Sequence, residues 1–290
     1  MKYFKYVCKQ NIKFLAICML FSLCIDLVVI AADLPNIDVK GFWVPIVISL
    51  IITVVVMCIA MAFIYRLYKK NLPLLRCIDE KGITNELIDI YRQTFPKMGA
   101  MNHIVLASYL KAVDRLDEAQ RELDIAGRYV MADVRTKAYY SEILIGLRIR
   151  QRRFDEAIMI YNNYNQMMES YCRSNKDSIC VQHYANGALL YAYSGNFDAA
   201  MVCVRKTEPA VKKKRAFAFT RNTALMAVYL IQGDLRSADN IRNMMFADLQ
   251  TFDEFDFEAY RKLSYKDIEE ITMLFDPRAQ MQQREGNVNE

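Results

Sequence analysis

Histidine is almost missing from this 290-residue chain, which has only His103 and His183, too few for a multi-histidine metal site. The motifs GxGxxG, GxxxxGKS/T, HExxH and GxSxG do not occur. The usual loops and triads for dinucleotide, phosphate, zinc or serine-hydrolase chemistry are therefore absent. Glycine is scarce as well, with nine residues in all and six beyond Gly99, and no Pro/Gly-rich break marks a second unrelated soluble domain. Residues 1–70 hold eight basic and three acidic side chains, which accounts for the whole net charge of +5. Residues 71–290 carry 30 of each sign, so they lack the excess that draws a protein to phosphate, and nucleic acid is not expected as a partner.

What is abundant is apolar sequence near the N-terminus. Phe14 to Ala32 is a run of 19 residues with one charge, and as a helix it covers about 28 Å, the thickness of a hydrocarbon core. Phe42 to Tyr65 is a second run of 24 residues with no charge. Trp43 and Tyr65 stand at its ends like an interfacial aromatic belt, and Pro45 falls in its first turn, where its missing amide hydrogen has no helical partner. Lys2, Lys5, Lys9 and Lys13 precede the first run, and Arg66, Lys69 and Lys70 follow the second. Cationic flanks resist translocation, so the pattern implies two spans, 14–32 and 42–65, with both termini in the cytoplasm and an integral location in the plasma or inner membrane. A cleaved signal peptide is the competing reading of the first run, given its basic start and Ala31-Ala32. Asp26 is the one ionisable residue within either run; it either reaches the outer interface or forms an intramembrane polar contact with another protein. Cys8, Cys18, Cys24 and Cys58 lie in or beside these runs. Cys77, Cys172, Cys180 and Cys203 show no CxxC spacing and read as reduced thiols, with Cys172 and Cys180 the one pair close enough to consider for a bridge or a metal.

Beyond a connector containing Pro73, four segments resemble one another: Arg115-Leu-Asp-Glu-Ala119, Arg153-Phe-Asp-Glu-Ala157, Asn196-Phe-Asp-Ala-Ala200 and Asp234-Leu-Arg-Ser-Ala238. Their last alanines recur at intervals of 38, 43 and 38 residues, the period of a stack of helical hairpins. In each, the Leu or Phe plugs the base of a hairpin, the acidic residue or its substitute starts a helix near its positive end, and the alanine admits a close neighbour. Apolar residues at helical spacing precede every segment, for example Tyr140, Leu144 and Leu147, and Gly195 and Gly233 suit left-handed helix ends.

The pattern resembles the tetratricopeptide repeat family over about residues 100–250, most clearly in Tyr184 to Met201 and Asn222 to Asp239. Asp114 and Arg152 stand where the family places a turn glycine, and Arg148 stands where it places a tyrosine. The resemblance implies an α-solenoid of helical hairpins, and with the two spans read from the apolar runs the expected fold is all-α, two transmembrane helices followed by that solenoid. The expected division is a basic flank and hairpin over 1–70, a connector and capping helix over 71–99, the array over 100–250, capping helices over 251–279 and a disordered tail over 280–290. It also implies a peptide-binding groove on the first helix of each pair, made by Ser108, Lys111, Tyr139, Glu142, Arg150, Gln182, Ala185, Leu189, Tyr193, Thr223 and Ala227. That mix of aromatic and small residues suits an apolar or aromatic segment.

The implied function is a membrane-anchored protein-interaction scaffold or adaptor with no catalysis and no cofactor. The alternative is a non-catalytic subunit of a membrane complex, recognised through its spans and Asp26. The acidic pairs Asp117-Glu118, Asp155-Glu156 and Glu269-Glu270 read as solvated helix faces rather than acid-base catalysts. His103 and His183 read as partly buried packing or capping residues. Two basic clusters, Arg148 to Arg153 and Lys212-Lys213-Lys214-Arg215, read as solvated turns, as acidic-partner sites or, for the second, as a contact to anionic lipid.

Overall fold

Apolar runs with few glycines and prolines have no cheaper way to satisfy their backbone than the helix, and the computed structural model is helical wherever it has regular structure. It describes residues 2–33, 43–129, 133–253 and 255–281. The chain divides into two units, Met1–Arg76 and Cys77–Glu290.

The first unit contains α1 (Lys2–Gln10), α2 (Ile12–Asp33) and most of α3 (Trp43–Glu80). Phe4 packs edge-on to Tyr68 at 5.4 Å and Phe14 lies against Phe63 at 5.5 Å, so α1 and α2 run antiparallel beside α3. The exposure pattern is inverted relative to a water-soluble helix. Ile17, Leu20 and Ile59 are more than 60% exposed, whereas Val7, Ala60 and Ile64 are buried between the helices. Among the described residues one helical stretch, Leu50–Glu80, is long and apolar enough to cross a membrane, and Ile12–Phe21 is a shorter apolar one. Most side chains of the expected first span beyond Phe21 lie outside the described residues, as does the side chain of Asp26.

The connector expected from Pro73 is corrected in part, because α3 continues through that proline to Glu80. Proline removes the donor to the carbonyl four residues earlier, but Leu74, Leu75 and Cys77 are buried and hold the helix in register. Of the expected tail over 280–290, Gln280 and Met281 are helical, and residues 282–290 lie outside the described residues.

In the second unit, α4 (Asn85–Thr94) starts at Thr84, whose hydroxyl accepts from the Leu87 amide, and packs on α5. Four hairpins follow: α5 (Ala100–Ala112) with α6 (Leu116–Gly127), α7 (Val134–Arg150) with α8 (Phe154–Ser174), α9 (Ser178–Tyr193) with α10 (Phe197–Lys206), and, after the short α11 (Glu208–Lys213), α12 (Phe217–Gln232) with α13 (Leu235–Thr251). Next comes α14 (Glu258–Phe275), and a further helical turn covers 277–281. Each first helix packs on its own second helix and on both helices of the hairpin before it, and α14 packs on α12 and α13 in the same manner.

All four hairpins turn by the same backbone device. Asp114, Arg152, Gly195 and Gly233 adopt left-handed φ values of 63°, 59°, 77° and 83°. The next amide in each case donates back across the turn, from Arg115 to Leu110, Arg153 to Arg148, Asn196 to Tyr191 and Asp234 to Tyr229, at 2.8–3.0 Å. Ala119, Ala157, Ala200 and Ala238, one turn on, are all buried. In the first three second helices the acidic residue sits inside the first turn rather than at the cap, which is Arg115, Arg153 or Asn196; only Asp234 is itself the cap.

A left-handed residue with a side chain is strained by about 1 kcal/mol, and glycine is not. Arg152→Gly therefore raises stability by about 1 kcal/mol and Gly233→Ala lowers it by a similar amount in denaturant unfolding of the full chain.

Candidate interaction site

The first helices of the hairpins share a side on which α5, α7, α9 and α12 face α14 across a cavity of about 440 Å³. Seven of the residues expected in a groove line it: Ser108, Lys111, Arg150, Gln182, Ala185, Leu189 and Thr223. Four others do not, and each has a physical reason. Tyr139 lies beside the α8–α10 core with the Arg135 guanidinium 5.8 Å from its ring. Tyr193 stacks on Phe154 at 4.2 Å, and Ala227 is fully buried among Ile145, Ile149 and Leu190.

Glu142 is the fourth, and it points inward. Only 3% exposed, it accepts from Asn186 Nδ2 at 2.9 Å and meets His183 Nδ1 at 2.9 Å, while His183 Nε2 lies 3.2 Å from Asn165 Oδ1. His183 is completely buried and stacked on Tyr161 at 4.8 Å, which corrects the expectation of a partly buried histidine. Every polar atom of this cluster needs its neighbours because water does not reach it.

The cavity is more charged than the sequence suggested. Arg150 makes a two-pronged ion pair with Glu270 and donates to the Lys111 carbonyl. Lys266 Nζ donates to the Ala112 carbonyl at 2.6 Å and to Asp114 at 2.8 Å, placing a cation at the C-terminal end of α5, where the helix dipole favours it. Lys111 rises between these groups. A Cβ added at Gly146 would stand 2.7 Å from its Nζ, so Gly146 leaves room for the ammonium. Burial and then Arg150 hold the Lys111 pKa below the usual lysine value, with the Asp267 charge opposing them. Burial pushes the Asp267 carboxyl up to about 6, against the attraction of Lys111, although its side chain opens on solvent.

Glu270, expected on a solvated helix face with Glu269, is corrected to a cavity residue paired with Arg150, 120 positions away; no local pattern announces that return, and Asp267 was not singled out at all. Asn186 was within reach, lying one helical turn after Gln182, whose amide donates to it at 3.0 Å.

The basic cluster at 148–153 is largely neutralised within the fold. Arg148 Nη1 donates to Gln120 at 2.5 Å and Arg148 pairs with Glu156 at 3.0 Å, and Arg153 also bonds Glu156. Lys212 to Arg215 are exposed, with Lys214 paired to Asp256 at 2.9 Å. The eight cysteines are free thiols, and among the described residues no group of three His, Cys, Asp or Glu is arranged to hold a metal.

No protein-family model matches the chain, and no curated protein or solved structure matches it either.

Two outcomes follow from this chemistry. His183→Phe leaves the buried Glu142 carboxylate with one partner and costs about 3 kcal/mol in equilibrium unfolding. A carboxyl whose folded pKa is raised favours the fold when protonated, so the Asp267 contribution is full below the unfolded value and lost as pH rises through about 6. Asp267→Asn is therefore more stable than the parent at pH 7, by on the order of 1 kcal/mol after solvent screening, and the two melting temperatures converge by pH 4.

Proposed function

We propose that this chain is a membrane-anchored interaction scaffold that binds a peptide or helix of another protein and catalyses no reaction. In this reading α2 and α3 are two spans of a hairpin with both termini in the cytoplasm of a plasma or inner membrane. The four hairpins form a tetratricopeptide-like α-solenoid, with its concave side facing the cavity. One observation carries the reading: residues from four successive hairpins, from Ser108 on α5 to Thr223 on α12, meet on one cavity although up to 115 positions separate them in sequence. A pocket built from one face of stacked helices suits an extended or helical segment, because each hairpin adds one strip of contacts. The outward apolar side chains of Ile12 to Phe21 on α2 and of Val47 to Phe63 on α3 support the anchoring, since apolar surface of this kind is stable in lipid and not in water. Tethering raises the partner's effective concentration beside the groove without any new contact. Lys212 and Lys213 offer a secondary contact to anionic headgroups, of about 1 kcal/mol each near a charged leaflet.

A photo-reactive residue at Gln182, in the full chain in its own membrane, tests the reading. Adducts to a second polypeptide form from Gln182 and disappear in Thr223→Arg, which fills the cavity. Adducts that come only from Ile17 or Ile59 favour a complex subunit recognised through the spans. Cleavage of residues 77–281 by protease added outside intact cells overturns the proposed topology.

A further inference from the structure

The wall that faces α5, α7, α9 and α12 across the cavity is itself a helix, the chain's own α14. Its sequence records what this site accepts. Asp267 and Glu270 lie three residues apart, on one face of the helix, and Leu263, Ile271 and Leu274 supply the apolar part of the same lining. Glu270 is gripped by Arg150, Phe275 lies 5.7 Å from Phe154, and Ile271 joins the core of Ile149 and Leu189.

The seat is only partly filled. About 440 Å³ stays open between the helices, and Lys111 and Asp267 feel each other's charge across it without forming a direct ion pair. An ammonium taken into a protein interior without a hydrogen-bonded counter-charge is a cost that a better-placed carboxylate removes. The receptor side thus presents two cations, Lys111 and Arg150, of which α14 satisfies one.

We propose that this groove is a receptor for an acidic amphipathic helix of another protein, which replaces α14 by offering two carboxylates one turn apart to Lys111 and Arg150. This rests on the interaction-scaffold reading and names its partner class. Apolar residues at the flanking turns fill the space that α14 leaves open. The tether gives α14 an effective concentration on the order of millimolar, so an incoming helix wins through the second ion pair and the filled volume. In the absence of a partner, α14 shields the site from weaker acidic segments.

The test uses the full chain in detergent micelles and a fluorescent synthetic peptide with the α14 sequence, Glu258–Phe275. The wild-type chain binds it weakly. The Glu270→Lys chain, whose own helix is repelled by Arg150, binds it at least tenfold more tightly. Replacing Asp267 by Glu in the peptide, which carries the carboxylate one methylene closer to Lys111, tightens binding to that variant further. The Arg150→Glu chain repels its own Glu270 and prefers a Glu270→Lys peptide over the native one by at least tenfold. Hydrogen exchange that rises in α14 while α9 stays protected shows that the helix has left an intact array. Indifference to the charge swap overturns the proposal. So does joint loss of protection in α9 and α14 with no peptide bound, which makes α14 a structural cap. If Gln182 adducts persist in membranes while the acidic peptides fail to compete, the scaffold stands and the acidic-helix assignment falls. Charge-selective exchange with no Gln182 adduct overturns the scaffold reading and this assignment with it.

Discussion

Each hairpin of the second unit hangs on one residue that turns the chain into the left-handed region. With φ between 59° and 83°, that residue allows the following amide to reach back five residues, and this closes the first helix and aims the second. An alanine five residues beyond it then sits in the tight space between the helices. Where the turn residue is glycine the geometry is free, and where it is Asp114 or Arg152 the fold holds some strain. Asp114 draws compensation from Lys266 and Arg150, which both pair with its carboxylate. The turn of the first hairpin is thereby tied to α14, so a local backbone constraint becomes part of the cavity wall.

Arg150 carries that connection. Near the end of α7, it joins the Lys111 carbonyl on α5, the Asp114 turn and the Glu270 carboxylate on α14. A lysine could not do this, because only the planar guanidinium offers donors in several fixed directions at once. Since Arg150 is mostly removed from solvent, loss of Glu270 leaves a charge with little water to replace its partner, so this pair fixes the position of α14 alongside its apolar contacts through Ile268, Ile271 and Phe275.

The helix content, the period of 38 to 43 residues and all four turns were legible in the sequence, because they depend on local spacing and on the Leu/Phe-to-Ala segments. Asp114 and Arg152 stand as non-glycine residues in glycine geometry, which the period located despite their chemistry. The site was legible in part. Ser108, Lys111, Arg150, Gln182, Leu189 and Thr223 face the cavity because one helical face keeps its register along each hairpin. Tyr139, Glu142 and Tyr193 do not, because side-chain partners off that face captured them: Arg135, His183 and Phe154. The helix α14 was legible as a capping helix within 251–279, but its place as a wall of the cavity was not. Its placement depends on pairs such as Arg150–Glu270 and Lys266–Asp114, separated by 120 and 152 residues, which no periodicity encodes.

The even charge of residues 71–290 gains meaning from those pairs. A neutral total could arise from scattered ions that each face water, yet here many charges are matched within the fold: Arg92 and Arg115 with Glu118, Arg148 and Arg153 with Glu156, Lys206 with Glu169, Arg242 and Arg278 with Asp239. Surface pairs of this kind add little stability, about 0–1 kcal/mol each, so their larger effect is on recognition. They leave the outer surface without a strong field to attract partners indiscriminately. Lys111 differs because its ammonium is drawn toward Asp267 and Glu270 without a direct ion pair to either. A charge held in a partly closed recess acts more strongly on a ligand than the same charge in water, so on the proposed reading discrimination among helices falls to Lys111 and Arg150 rather than to the net charge of the chain.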